Sequence, residues 1–116
     1  MSFQALFDFE EALAEYTGAP YCVLTDGCTH ALELCFRHER VEHTRFSAYT
    51  YLSVPMLMYH LGIRFELTDE SWVGEYQFIN TRIWDSARRL EQDMYRPNSM
   101  QCLSFGHDKP LNIGRG

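Results

Sequence analysis

Tyr21-Cys-Val-Leu-Thr-Asp-Gly-Cys-Thr-His-Ala-Leu-Glu-Leu-Cys-Phe36 is the run on which the fold turns. Its first part, Tyr21 to Thr25, is short, apolar and β-prone and ends at Asp26-Gly27, which reads as a strand followed by a turn. Its second part, from about Thr29, carries Ala31, Leu32, Leu34, Cys35 and Phe36 and reads as a helix. Strand, tight turn and helix in one run is the repeating step of an α/β fold.

The neighbouring segments continue the pattern. Phe3, Leu6, Phe7, Leu13 and Tyr16 recur at helical spacing, with Glu10, Glu11 and Glu15 elsewhere on the wheel. Gly18 stops that helix and Pro20 follows just beyond. Arg45 to Tyr49 reads as a short strand. Ser53 is placed to cap a helix carrying Pro55 in its first turn, and Gly62 closes it. Ile63-Arg-Phe-Glu-Leu-Thr-Asp69 alternates strictly, as a strand with one half-exposed face does. Gln77 to Trp84 reads as a strand ending at Asp85, Ala87 to Leu90 as a helical turn, and Met100 to Phe105 as a last strand. The whole predicts an α/β fold, a mostly parallel sheet with flanking helices. With no internal repeat or linker, residues 1–116 form a single unit.

Composition narrows the function. A chain of 116 residues, 46% hydrophobic and 15% aromatic, holds one core. A net charge of −6 and a pI near 5.2 argue against sequence-independent nucleic-acid binding, which needs a basic face. No stretch is apolar for the length of a membrane span, and Met1-Ser-Phe-Gln-Ala-Leu-Phe-Asp8 lacks the basic and apolar regions of a signal peptide. The expected location is the cytoplasm. There Cys22, Cys28, Cys35 and Cys102, whose spacings fit neither zinc knuckles nor a redox dithiol, are expected to be buried, reduced thiols. His38 and His43 flank Glu39 and Glu42, a cluster that suits a solvated helix end better than a metal.

In open α/β sheets, ligands bind beyond the carboxyl ends of the strands. That rule selects Asp26-Gly-Cys-Thr29, Tyr49-Thr-Tyr51, Asp85 and the segment from Ser104 to Lys109. Lys109 is the only lysine, against nine arginines, and only an amine can form a Schiff base with a carbonyl. Each segment alone has an ordinary explanation: a turn, a cap, a packing aromatic, a loop cation. Together they supply what pyridoxal 5'-phosphate requires. A helix N-terminus and hydroxyls suit its phosphate, an aromatic plate its ring, a carboxylate its ring nitrogen and a lysine its aldehyde.

The same segments, in order, resemble the DegT/StrS-type sugar aminotransferases, fold type I enzymes that use pyridoxal phosphate. Phe9-Glu-Glu-Ala-Leu-Ala-Glu-Tyr-Thr-Gly18 is similar to that family's opening helix, and Leu24-Thr-Asp-Gly-Cys-Thr-His-Ala-Leu-Glu-Leu34 to its phosphate-binding segment. Tyr49-Thr-Tyr-Leu-Ser-Val54 resembles the segment whose second aromatic stacks on the cofactor, and Leu61-Gly-Ile-Arg-Phe-Glu-Leu-Thr-Asp69 the strand that follows. Ile83-Trp-Asp-Ser-Ala-Arg88 and Leu103-Ser-Phe-Gly-His-Asp-Lys109 resemble the aspartate and lysine motifs, and Gly114-Arg-Gly116 the start of a glycine-rich segment.

The resemblance implies that Lys109 carries the cofactor and Asp85 pairs with its pyridine nitrogen. Cys28, Thr29 and Ser104 would hold the phosphate, Tyr51 would stack on the ring, and Arg88 would stand near the phenolic oxygen, where the family has glutamine or histidine. It also implies an amino-acid donor, a keto-sugar acceptor and a homodimer. The chain departs from the family in length. Only 15 residues separate Asp69 from Asp85, where the family places a helix, a strand and a further helix. The resulting gap in the sheet must close up or be filled by a partner chain. The unit is thus expected to be a partial large domain without the small C-terminal one. A non-catalytic relative that keeps the fold for cofactor binding or assembly is the alternative reading.

Overall fold

In the computed structural model, which describes residues 3–106 and 108–113, three helices flank two small sheets, one of two strands and one of three. The order is α1 (Phe3–Thr17), α2 (Cys28–Glu39), β1 (His43–Ser47), α3 (Ser53–Leu61), β2 (Arg64–Thr68), β3 (Tyr76–Gln77), β4 (Ile83–Asp85) and β5 (Met100–Cys102). Helix α3 links the parallel pair β1–β2, in which Phe46 lies opposite Leu67. Strand β4 pairs in parallel with β5 and antiparallel with β3. Two of the three strand pairings are parallel, in keeping with the mostly parallel α/β arrangement the sequence predicts, but they fall in two sheets rather than one.

The shortened stretch between Asp69 and Asp85 bridges the two sheets. Just past β3, the Ile79 N–H donates to the Arg45 carbonyl (2.9 Å), and the Thr44 hydroxyl donates to the Ile79 carbonyl (3.0 Å). These two bonds tie the segment just past β3 to β1 and so join the two sheets. Phe78 anchors it. The ring is fully buried and packs edge-on against Phe36 and Phe46, with centroids 4.9 and 5.3 Å away. Leu32, Val54, Met58 and Ile83 complete the core around these rings.

Local chemistry sets the helix ends. Gly62 adopts φ 72° after α3 and returns its N–H to Met58 and Tyr59, a left-handed cap that glycine takes without steric penalty. Pro55 lies in the first turn, where its missing N–H costs nothing. Ser53, expected as the cap, is instead the first residue of α3. Leu52 holds the N-cap position without a side-chain bond, and the Ser53 hydroxyl accepts from Thr29 (3.4 Å).

Four further expectations are corrected. Tyr21 to Thr25 forms no strand: Tyr21 and Val23 are exposed, and no neighbouring strand offers a ladder. A β-prone run pairs only where a partner exists, and here Leu24 N–H turns to the Glu10 carboxylate (2.7 Å). Gln77 to Trp84 is not one strand but a hairpin, turning through Asn80 at φ 65°. The packed side of α1 is Phe9 and Leu13, with Phe9 edge-on to Phe105, while Phe3, Phe7 and Tyr16 remain exposed. Of the four free thiols only Cys102 is fully buried; the others are partly accessible. The two histidines of the acidic cluster separate, His38 facing Glu39 on α2 and His43 facing Glu66 from β1, each at 3.9 Å.

Candidate functional site

Strand β4 ends on Asp85, and the parallel β5 leads directly into Ser104, so both deliver side chains to the same edge of the sheet. Helix α2 starts there with Cys28 and Thr29, and Tyr51 follows β1. A cleft of about 270 Å³ opens between them, lined by Cys28, Thr29, Tyr51, Asp85, Ser104 and Lys109. Every site candidate from the sequence except Arg88 therefore lines one cavity. Its size lies close to the lower end, about 300 Å³, of small-molecule pockets.

Asp85 forms the floor and is 3% exposed. Its Oδ1 accepts the Ala87 N–H (3.1 Å) and its Oδ2 accepts the Tyr76 hydroxyl (3.1 Å). Burial pushes its pKa up. The bonds from Ala87 and Tyr76 and the charge of Lys109 pull it down without cancelling that rise. Both hydrogen-bond donors are neutral, so the buried negative charge is only partly compensated.

Tyr76 is the functional residue that sequence reading missed. Its hydroxyl lies 2.5 Å from Thr50 Oγ1 as well as against Asp85, and burial together with the Asp85 charge raises its pKa, keeping it a donor. The available signal was the alternation of Tyr76 with Phe78, which puts both on one inward face. Glu75 was missed as well. Its buried carboxylate gathers Ser86, Arg89 and Arg96 at 2.6–2.8 Å, and so braces the turn beside Asp85.

Lys109 approaches from the opposite wall. Its Nζ donates to the Tyr51 hydroxyl (3.1 Å) and stands 4.6 Å from the centre of that ring, a cation–π distance. Arg88 lies outside the cleft lining. It also donates to the Tyr51 hydroxyl, reaches Asp108 at 3.4 Å, and holds its guanidinium 5.6 Å from the ring centre. Tyr51 is thus clamped by two cations at the rim. His107 and Gly114-Arg-Gly116 lie outside the described residues.

The start of α2 is the electropositive side of the cleft. Its first N–H groups have no intrahelical acceptor, Gly27 precedes it in extended backbone, and no side chain caps it. Thr29 presents its hydroxyl there beside Ser53. Asp26 and His30 pair across one turn; the hydrogen bond lowers the carboxyl pKa and raises that of the imidazole. The Cys28 thiol, hydrogen-bonded to the Cys102 carbonyl at 3.8 Å, is pushed up to about 12 by burial and then by Asp85, so it stays neutral.

A family model described as the DegT/DnrJ/EryC1/StrS aminotransferase family matches residues 3–65, more than half of the chain. The chain belongs to that family. The matched span contains Cys28, Thr29 and Tyr51, while Asp85, Arg88, Ser104 and Lys109 lie beyond it. Compared with curated proteins and with solved structures, the chain has no match. Among the described residues no helix is long and apolar enough to cross a membrane, and no group of three or more His, Cys, Asp or Glu side chains is placed to hold a metal.

DegT/DnrJ/EryC1/StrS aminotransferases generally depend on pyridoxal phosphate. The donor set in this cleft suits that group. An under-compensated buried carboxylate is the partner a protonated ring nitrogen needs. An uncapped helix start suits a phosphate, and one primary amine faces the same space.

Proposed function

We propose that this chain binds pyridoxal 5'-phosphate in the cleft and uses it to transfer an amino group from an amino acid to a keto-sugar. The observation that carries the reading is Asp85, buried on the floor of a cleft that also receives Lys109 and the start of α2. When bound, the cofactor supplies an electron sink for bond breaking at the carbon that bears the substrate's amine.

The chain's own residues have distinct tasks. Asp85 provides the fixed negative charge for the ring nitrogen, and Tyr76 and the Ala87 N–H orient it. Lys109 attaches the cofactor through Nζ, and its amine is the group placed to move a proton at the reacting carbon. Tyr51 holds Nζ by its hydroxyl in the absence of ligand and offers its ring as the stacking plate. Cys28, Thr29 and Ser104, with the first N–H groups of α2, hold the phosphate, and Arg88 supplies positive charge beside Tyr51. The expected assembly is a homodimer, supported by the exposed large hydrophobic side chains of Leu52, at the N-cap of α3, and of Met56 and Tyr59 on it.

Adding pyridoxal 5'-phosphate is expected to produce a visible absorbance band that borohydride fixes as a mass increment on Lys109. No band, or an unchanged band in Lys109→Ala, would overturn the reading. A second reading, a cofactor-binding relative without turnover, draws support from Tyr76, whose hydroxyl already occupies Oδ2 of Asp85. It is favoured if the band forms but glutamate fails to convert it to the amine form of the cofactor.

A further inference from the structure

Below the cleft, helix α2 meets strand β5 sulfur to sulfur. Cys35 Sγ and Cys102 Sγ stand 3.7 Å apart, in van der Waals contact, and neither belongs to the proposed cofactor site. A disulfide needs about 2.05 Å, so the sulfurs must approach by roughly 1.7 Å. The residues are not equivalent. Cys102 is buried at the end of β5, in register with Asp85, while Cys35 is partly accessible from the α2 side.

The surrounding groups make Cys35 the more reactive partner. The hydrogen bond shared with Cys102 holds its pKa below the ordinary value, against burial and the Glu39 charge, with Arg82 assisting. The same bond, together with burial and the nearby Cys28 and Asp85, raises Cys102 well above its ordinary value. Thiolate character and access govern which cysteine meets an oxidant first.

We propose that Cys35 and Cys102 are an oxidation site, closing to a reversible intramolecular disulfide when the protein meets a peroxide. The Cys35 thiolate attacks one oxygen of hydrogen peroxide, the O–O bond breaks, and the departing hydroxide takes a proton to leave as water. Cys35 then carries a sulfenic acid. The Cys102 sulfur attacks Cys35 Sγ, the S–O bond breaks, and the hydroxyl leaves as a second water with the Cys102 thiol proton. Each sulfur is oxidised by one electron and the peroxide is reduced by two. Helix α2 begins at Cys28-Thr29 and β5 leads into Ser104, so the bridge ties together two walls of the cleft. The inference does not depend on the cofactor reading.

The test is a peptide map of the full chain. Reduced protein is exposed to hydrogen peroxide, alkylated, and digested without reductant. The expected product is a Cys35–Cys102 linked peptide, an intact mass lower by about 2 Da, and a fall in free thiols from four to two. Dithiothreitol should restore the starting state, and the melting temperature should rise by several degrees on oxidation. Cys35→Ala should abolish the linkage and Cys22→Ser should leave it intact. A bridge involving Cys22 or Cys28, disulfides only between chains, four thiols surviving the peroxide, or Cys35 oxidised to sulfinic acid without a partner would each overturn the proposal. The wild-type map decides the matter even if a variant fails to fold.

Discussion

Replacing Glu75 with glutamine tests whether one buried carboxylate holds the long connection between β4 and β5. The Glu75 side chain is 6% exposed, and its Oε2 accepts from Arg89 and Arg96 at 2.6 Å each, while Oε1 accepts from the Ser86 hydroxyl at 2.8 Å. Burial acts to raise its pKa, but the bonds from Arg96, Ser86 and Arg89 outweigh it and hold it below the usual value. A charge-assisted hydrogen bond contributes about 1.5–3 kcal/mol. The pair with Arg96, whose side chain is 46% exposed, is discounted for solvent screening. One well-shielded bond and a fraction of a second give a loss of about 2–3 kcal/mol. For a domain of this size each kcal/mol moves the melting temperature by about 4 °C, so Glu75→Gln should melt about 10 °C lower at pH 7. The pKa is depressed in the folded state, so its stabilising contribution is present above the unfolded carboxyl pKa and lost as pH falls through the folded one. The gap between wild type and variant should therefore narrow in acid. Thermal unfolding followed by circular dichroism across pH 3–7 reads both effects. A shift under about 2 °C at neutral pH, or a gap that persists unchanged in acid, would refute the reasoning.

Two other substitutions probe the core and the site floor. Phe78→Ala removes the ring that packs on Phe36 and Phe46, and should cost about 3–5 kcal/mol in denaturant unfolding followed by tryptophan fluorescence; a loss below about 1 kcal/mol would mean the seam does not rest on this ring. Asp85→Asn should stabilise the protein by about 1 kcal/mol at pH 7 while abolishing the absorbance band or shifting it, the trade-off expected of a buried functional charge. Because the Asp85 pKa is raised in the folded state, that gain is largest at neutral pH and fades in acid, where wild-type Asp85 is itself protonated. A variant less stable than wild type at pH 7 would show that the Ala87 and Tyr76 bonds compensate the charge fully.

The helices were legible because their information is local. Apolar spacing, Pro55 and the stop glycines Gly18 and Gly62 act within a turn or two of the residues they govern. Strand β2 was legible for the same reason, through alternation, whereas β1 was read two residues late, at Arg45 to Tyr49 instead of His43–Ser47. Tyr21 to Thr25 misled because strand formation needs a partner, and propensity carries no record of which neighbour is present. The hairpin at Asn80 hid inside an apolar run because its turn uses an asparagine at positive φ rather than a glycine.

By itself the sequence determined which side chains could do chemistry: one lysine, an aspartate after an apolar strand, and a thiol and a hydroxyl opening a helix. Six of its seven candidates line one cleft, because the ends of parallel strands and the starts of their helices share one edge of the sheet. Only the tertiary structure decided how those groups are held. Tyr76 on Asp85 and Glu75 beneath Ser86 join residues across a hairpin the sequence reading did not see, and Cys35 against Cys102 joins residues 67 positions apart. Such contacts depend on how separate segments pack together, and no local pattern encodes that packing.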